Sequence, residues 1–262
     1  MTISRVLFRI RKYFAFRRKA QTAFAVHSPF LYELYSAMRK PKFNNTEDKM
    51  KLDGIRTKFS QCCHTISFDD PGAKGGHIKT KAGMVFKRTS KPQKQSLAIA
   101  AAANNIQSRE ILEMGTAFGT TSLTLQFLNP EARVTTMEGV PEIAEYAKKA
   151  FSETGIESID LQVGLFKDLL PNYLNEGRKI DFVFMDGHHK GDASEEYIDM
   201  LYPALSDIAI IAIDDIYYSP DMVEFWEEIQ KDDRFQTGLD FFHFGLLIKN
   251  DNLQKMSFKL KL

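Results

Sequence analysis

The chain has 262 residues, which suits one large domain or two small ones. Hydrophobic residues make up 44% and charged residues 26%, close to the average of folded domains, which argues against disordered and collagen-like proteins. The longest apolar run, residues 97–103, is far shorter than the roughly 18 residues that span a bilayer, and no signal-peptide pattern is visible. Cys62 and Cys63 are adjacent and cannot form an ordinary structural disulfide, so we expect a reduced, cytoplasmic protein.

The net charge of +1 conceals a strong asymmetry along the chain. Residues 1–95 carry 21 basic and 6 acidic side chains, whereas residues 96–262 carry 14 and 28. Such asymmetry suggests two functional regions. Suitable partners for the basic region are a membrane surface, a nucleic acid, an anionic substrate and the acidic region of the same chain.

The N-terminal part is predicted to be helical, because the first glycine is Gly54 and apolar residues recur at helical spacing. Ser28 and Pro29 predict the start of a second helix, and residues 46–60 are predicted to form a third. Four glycines and a proline predict a loop at residues 69–83. We therefore divide the chain into a basic helical extension (1–84), a domain (85–250) and a tail or extra strand (251–262). We expect the extension to be ordered by packing on the acidic region.

From residue 109 onwards, apolar strands alternate with helices. This alternation predicts a mostly parallel sheet with helices on both faces, and the final hairpin predicts an antiparallel edge strand. The predicted strands are residues 111–114, 133–137, 159–163, 180–185, 208–213, 235–240 and 244–249. The sequence thus predicts an α/β fold with a seven-stranded sheet and an N-terminal helical extension.

A glycine-containing turn follows the first of these strands. Gly115 and Gly119 allow the backbone to approach a ligand at the carboxyl edge of the sheet, where α/β proteins bind their ligands. Glu138 ends the second strand 23 residues after Gly115, a position at which an acid binds the ribose hydroxyls of nucleotide cofactors. Taken alone, the glycines also fit an ordinary tight turn, and Glu138 also fits a solvated loop acid.

NAD(P) and S-adenosylmethionine (SAM) both suit this arrangement. Ala117 stands where the dinucleotide fingerprint has its second glycine, and the chain contains no Tyr-x-x-x-Lys pair. Glu113 completes the motif Glu-x-Gly-x-x-x-Gly, and with it residues 85–250 resemble the class I SAM-dependent methyltransferases, which have a Rossmann-like fold. Within that class the chain is similar to the small-molecule O-methyltransferases of the catechol and sugar types. It also resembles bacterial proteins of unassigned substrate with a basic extension and an HSPF-like segment, here residues 27–30.

The resemblance implies a set of cofactor-binding residues at the turns that follow the strands. Phe166, after the third strand, would cover the adenine ring. The full predicted set is Glu113, Gly115, Thr116, Ala117, Gly119, Thr121, Glu138, Gly139, Gly164, Phe166 and Asp186.

Acidic residues also follow the fourth and fifth strands. Asp186, Asp214 and Asp215 match positions that bind a divalent cation in the resembled O-methyltransferases, and carboxylates suit Mg2+. Capping of loop amides is the alternative role for these aspartates. His189 stands where catechol-type enzymes have a catalytic lysine, so His189 is the candidate base, with Asp186 as the other catalytic residue.

The sequence therefore predicts a SAM-dependent methyltransferase that acts on an oxygen of a small molecule. The alternatives are an NAD(P)-dependent oxidoreductase and a non-catalytic Rossmann-like protein that binds through its basic arm. No sequence-specific nucleic acid is expected, because Gly-His-His stands where methyltransferases of nucleic-acid amines have Pro-Pro-aromatic. Residues 5–19 predict weak contact with an anionic membrane, and a homodimer stays open. A basic lid over the site is predicted from Lys79, Lys81, Phe86, Lys87, Arg88 and Lys91.

Overall fold

The structure of the chain is a computed structural model that describes residues 3–22, 26–69, 75–187 and 190–262. The N-terminal helices are α1 (Ile3–Lys19), α2 (Pro29–Arg39) and α3 (Thr46–Ser60). The Ser28 hydroxyl caps α2, and the Asn45 side chain caps α3 by accepting a hydrogen bond from the Asp48 amide at 2.8 Å. The predicted helical extension is thus confirmed.

A hairpin of strands β1 (Thr65–Asp69) and β2 (His77–Lys81) follows, and then helix α4 (Ala82–Thr89). The two strands pair antiparallel, so the prediction of a continuous loop over residues 69–83 is wrong for its second half. Three of the four glycines in this segment precede β2, whereas the β-branched Ile78 and Thr80 alternate with lysines, which favours an extended strand.

An eight-stranded sheet with helices forms the rest of the molecule, and its strand order is β10-β8-β9-β7-β6-β3-β4-β5. Its strands are β3 (Glu110–Met114), β4 (Arg133–Glu138), β5 (Asp160–Val163), β6 (Ile180–Met185), β7 (Leu205–Asp214), β8 (Thr237–Asp240), β9 (Phe244–Lys249) and β10 (Met256–Lys259). Its helices are α5 (Gln93–Asn105), α6 (Thr120–Leu128), α7 (Pro141–Thr154), α8 (Phe166–Leu174), α9 (Gly191–Leu201) and α10 (Pro220–Ile229).

The mostly parallel sheet is confirmed, but its antiparallel strand is not at the edge, and of the two alternatives for residues 251–262 the structure shows the extra strand, which makes eight strands instead of seven. The antiparallel strand β9 lies inside the sheet between β7 and β8, because the apolar residues of β9 are buried and pair on both sides. The C-terminal tail forms the eighth strand, β10, which pairs parallel with β8 at the sheet edge. An antiparallel strand in this place also distinguishes the sheet from the all-parallel order of the dinucleotide-binding fold.

The N-terminal helices share their hydrophobic core with the sheet. Leu34 of α2 and Leu52 of α3 are fully buried in one cluster with Ile99 of α5 and Phe184 of β6. The boundary predicted at residue 84 falls inside α4, and helices on both sides of it belong to this one core. No helix in the described ranges is long and apolar enough to cross a membrane.

Helix α1 packs on the segments that follow β7 and β8. Phe16 is 5% exposed, and its ring centroid lies 5.5 Å from that of Phe242. Arg9 forms an ion pair with Asp215 at 3.1 Å, and Arg5 donates a hydrogen bond to the Tyr218 hydroxyl at 3.1 Å. The basic helix therefore contacts the acidic region of the chain, as its charge predicted.

Candidate active site

The turn between β3 and α6 requires glycine at two positions. Gly115 has a φ of +113°, and a Cβ atom there would lie 2.2 Å from the carbonyl oxygen of Asp186. Gly119 begins α6 with a φ of +77°, and a Cβ atom there would lie 2.7 Å from the ring of Phe151. The backbone of this turn is consequently held tightly against the carboxyl end of β6.

Glu138, at the end of β4, is held against this turn. Its carboxylate accepts hydrogen bonds from the backbone amides of Ala117 and Val140, both at 2.8 Å. Burial raises the pKa of the Glu138 carboxyl, and the amide hydrogen bonds oppose that rise. The Gly139 amide also bonds to this carboxylate. Because each carboxylate oxygen can accept two hydrogen bonds, the group retains capacity for one ribose hydroxyl.

Glu113 lies underneath the turn and is completely buried. Its Oε2 atom accepts hydrogen bonds from the hydroxyls of Ser122 and Thr136, and Thr136 also bonds to the buried hydroxyl of Thr116 at 2.6 Å. Its Oε1 atom has no hydrogen-bond partner among the described residues. Burial raises the pKa of the Glu113 carboxyl to about 7. This arrangement makes Glu113 a support of the turn rather than part of its outer surface.

Phe166, at the start of α8, also lies at the carboxyl edge of the sheet. A Cβ atom on Gly187 would come within 2.5 Å of the Phe166 ring, so the ring lies against the backbone that follows β6. Gly164 has a φ of +154°, and its amide donates to the carbonyl oxygen of Glu138 at 2.9 Å. The structure thus brings the predicted residues of three turns to one edge of the sheet. Thr121 lies in the first turn of α6 and is buried, and Gly139 directly follows Glu138.

The carboxylates of Asp186, Asp214 and Asp215 also lie together at this edge, but basic side chains accompany them. Lys91 Nζ lies 2.5 Å from Asp214 Oδ1, and both side chains are less than 10% exposed. Arg9 pairs with Asp215 at 3.1 Å. Among the residues that the structure describes, no group of three His, Cys, Asp or Glu side chains forms a metal site. Because Lys91 and Arg9 already pair with two of the three aspartates, this donor set does not fit the predicted Mg2+ site.

Burial and neighbouring charges shift the pKa values in this cluster. Burial raises the pKa of the Asp186 carboxyl well above its usual range, and the charge of Asp214 adds to the rise while Lys91 opposes it. Burial lowers the pKa of the Lys91 ammonium, but the three carboxylates outweigh that effect and raise it overall. Lys91 is therefore charged at neutral pH.

Several residues at this edge were not predicted to belong there. Lys91, which the sequence suggested as part of a lid, is a buried ion-pair partner, and Arg9 comes from α1. Arg56 of α3 donates to the carbonyl oxygen of Lys91 at 2.9 Å and to the Thr120 hydroxyl at 3.3 Å. An isolated lysine or arginine in a basic region carries no sequence signal for such a role. The candidate base, His189, lies outside the described residues.

Comparisons with known proteins agree with this geometry. A family model described as a methyltransferase domain matches residues 112–216. The O-methyltransferase imqG of Aspergillus flavus is 29% identical over 122 residues, which are 44% of this chain and 49% of that protein. The chain thus matches about half the length of this curated relative.

Solved structures share the fold. The O-methyltransferase TomG from Streptomyces achromogenes, in complex with SAM, has a TM-score of 0.57 at 20% identity, over 83% of this chain and 95% of that one. An O-methyltransferase from Bacillus cereus, in complex with SAH, has a TM-score of 0.56 at 16% identity, over 78% and 90%. Residues 112–216 thus match a methyltransferase-domain model, and the chain has the fold of these SAM- and SAH-bound O-methyltransferases.

Proposed function

We propose that the protein is a SAM-dependent methyltransferase that acts on an oxygen of a small molecule. The observation that carries this proposal is the tight turn from Gly115 to Gly119 with the Glu138 carboxylate bonded against it. Ala117 and the internal antiparallel strand β9 both disfavour the NAD(P)-dependent alternative. The names of the similar proteins support oxygen as the acceptor atom.

The residues present fit SAM, because the glycine turn lies at the carboxyl edge of the sheet and the Glu138 carboxylate beside it retains hydrogen-bond acceptor capacity for the ribose. SAM, when bound, supplies an electrophilic methyl group. Phe166 would cover the adenine ring, and Gly139 and Gly164 would allow the chain to turn around it. Glu113 keeps the turn in place from below through Ser122 and Thr136.

On the acceptor side, the chain must orient a hydroxyl group and remove its proton. Asp186 lies beside the glycine turn, since a Cβ atom on Gly115 would lie 2.2 Å from its backbone carbonyl oxygen. His189 stays a predicted base, three residues further along the chain.

Calorimetric titration of the purified chain with SAM, SAH and NAD tests the proposal. We expect SAM and SAH to bind with one site each and NAD not to bind. A labelled methyl donor with a panel of phenols and alcohols then tests transfer to oxygen. Binding of NAD without binding of SAM would refute the proposal, and SAM binding without any transfer would favour a non-catalytic binding protein.

We also propose that helix α1 makes weak contact with an anionic membrane. Its outward face exposes Leu7, Ile10 and Phe14, which are 61%, 47% and 64% exposed. Arg11, Arg17 and Arg18 are exposed on the same helix, and such a mixture of apolar and basic side chains suits an anionic lipid surface.

Flotation with vesicles of phosphatidylglycerol or phosphatidylcholine tests this contact. We expect binding only to the anionic vesicles, weakened by salt and by Phe14→Ser, with Met50→Ser on the exposed surface of α3 as the matched control. Equal recovery of the protein with both vesicle types would refute the proposed preference for an anionic membrane. The oligomeric state needs a separate measurement, in which a molar mass in solution twice that of the chain would indicate a homodimer. Location in the cytoplasm stays a prediction from the adjacent cysteines, both of which are free.

A further inference from the structure

The carboxylates at the ends of β6 and β7 are neutralised by cations of the chain itself. Lys91 Nζ lies 2.5 Å from Asp214 Oδ1, and their side chains are 4% and 9% exposed. Arg9 Nη2 lies 3.1 Å from Asp215 Oδ1, with side chains that are 22% and 27% exposed. Lysine is almost never buried unless it is paired, so the burial of Lys91 depends on its ion pair with Asp214.

The backbone and side chain of Lys91 are both held in place. Its carbonyl oxygen accepts a hydrogen bond from Arg56 at 2.9 Å, and helix α5 begins two residues later. Its ammonium lies 5.5 Å from the centre of the Phe184 ring in β6. These contacts come from α3 and β6, so the ammonium is directed at the carboxyl edge by packing from two sides.

The position of this ammonium conflicts with a divalent cation at the same carboxylates. Mg2+ requires oxygen ligands at about 2.0–2.1 Å in an octahedral arrangement. The Lys91 nitrogen already occupies the approach to Asp214 Oδ1, and it cannot itself act as a ligand while it carries a proton. A second cation beside it would also be repelled.

We propose that the Lys91 ammonium takes the place of a divalent cation in this site, which consequently operates without a bound metal. Lys91 is then a positioning residue: it holds the carboxylate of Asp214, and through it the neighbouring carboxyl of Asp186, beside the glycine turn. The role of Lys91 in catalysis rests on the proposed methyltransferase function. The exclusion of a metal ion by the Lys91–Asp214 pair does not depend on that function.

Manganese binding to the full chain, measured by electron paramagnetic resonance in the absence of SAM, tests the inference. The wild-type protein is expected to bind no stoichiometric Mn2+. Lys91→Ala is expected to gain a Mn2+ site with an affinity about tenfold or more above that of wild type, because one positive charge has been removed beside buried carboxylates. Adding Asp214→Asn to Lys91→Ala should abolish this site. Lys94→Ala, at an exposed lysine on α5, is the matched control and should gain nothing.

Two results would overturn the inference. One is stoichiometric Mn2+ binding to wild type that Asp214→Asn abolishes, a measurement that does not depend on whether any Lys91 variant folds. The other is a folded Lys91→Ala variant, judged by circular dichroism, that gains no Mn2+ site. Calorimetry with SAM on the same wild-type sample separates the two proposals, since absent SAM binding would refute the proposed function and leave the metal result standing.

Discussion

Replacing Gly115 by alanine should damage both stability and cofactor binding. The φ of +113° would cost about 1–3 kcal/mol for any L side chain, and the contact of 2.2 Å with the Asp186 carbonyl adds an overpacking cost of about 1–3 kcal/mol. Gly155 provides a matched control, because its φ is +73° but a Cβ atom there meets nothing within 4 Å. Gly155→Ala should therefore lose only the backbone part, about 1–2 kcal/mol.

Thermal unfolding and calorimetric titration with SAM distinguish these two variants. For a chain of this size, Gly155→Ala should lower Tm by about 2–8 °C and leave SAM binding unchanged. Gly115→Ala should lower Tm further. It should also weaken SAM binding strongly, because the turn or the end of β6 must move to relieve the clash between the new Cβ atom and the Asp186 carbonyl oxygen. Wild-type SAM affinity in a folded Gly115→Ala variant would refute the assignment of this turn as the cofactor cradle.

Three further changes test the site and its supports. Glu138→Ala should weaken SAM binding by about 1–3 kcal/mol, whereas the exposed Glu142→Ala should not change it, as calorimetry can measure. The Glu113 pKa of about 7 lies above its value in the unfolded chain, so protonated Glu113 stabilises the fold by about 3 kcal/mol at low pH, and this contribution is lost as pH rises from about 4.5 to 7. Glu113→Gln should therefore flatten the pH dependence of the free energy of unfolding between these pH values. An unchanged slope in this variant would contradict the prediction. Phe16→Ala should release α1 and expose it to limited proteolysis, whereas the same change at the exposed Phe14 should not; equal rates would show that α1 does not depend on this packing.

Much of the fold could be predicted because the alternation of apolar strands and helices is local information. The exceptions depend on pairing partners. Residues 244–249 are predicted as a strand, but their apolar side chains indicate only that both faces of the sheet are covered, and the pairing with β7 and β8 is seen only in the structure. The glycines around residues 77–81 led to the prediction of a loop, whereas these residues form a strand that is stabilised by pairing with β1.

The location of the proposed cofactor-binding residues could also be predicted, because glycines in a turn and an acid after a strand have fixed places in the sheet. The acceptor side could not be predicted in the same way. Asp186, Asp214 and Asp215 were found, but the pattern of three acids is the same whether a metal or a lysine balances them. The lysine that balances them lies about 95 residues before Asp186 along the chain, and only tertiary structure brings it there.

The charge asymmetry of the sequence has a structural explanation at this edge. Arg9, Arg56 and Lys91 all belong to the basic region, and they reach Asp215, Thr120 and Asp214 respectively in the acidic region. Since these contacts surround the carboxyl edge of the sheet, the N-terminal extension completes the site as well as the core. A methyltransferase domain that began at residue 85 would retain Lys91 but would lose Arg9 and Arg56, the side chains that neutralise Asp215 and hold the Lys91 backbone. The extension and the sheet therefore share one core and one set of ion pairs at this edge, in which the basic part supplies the cations that pair with Asp214 and Asp215.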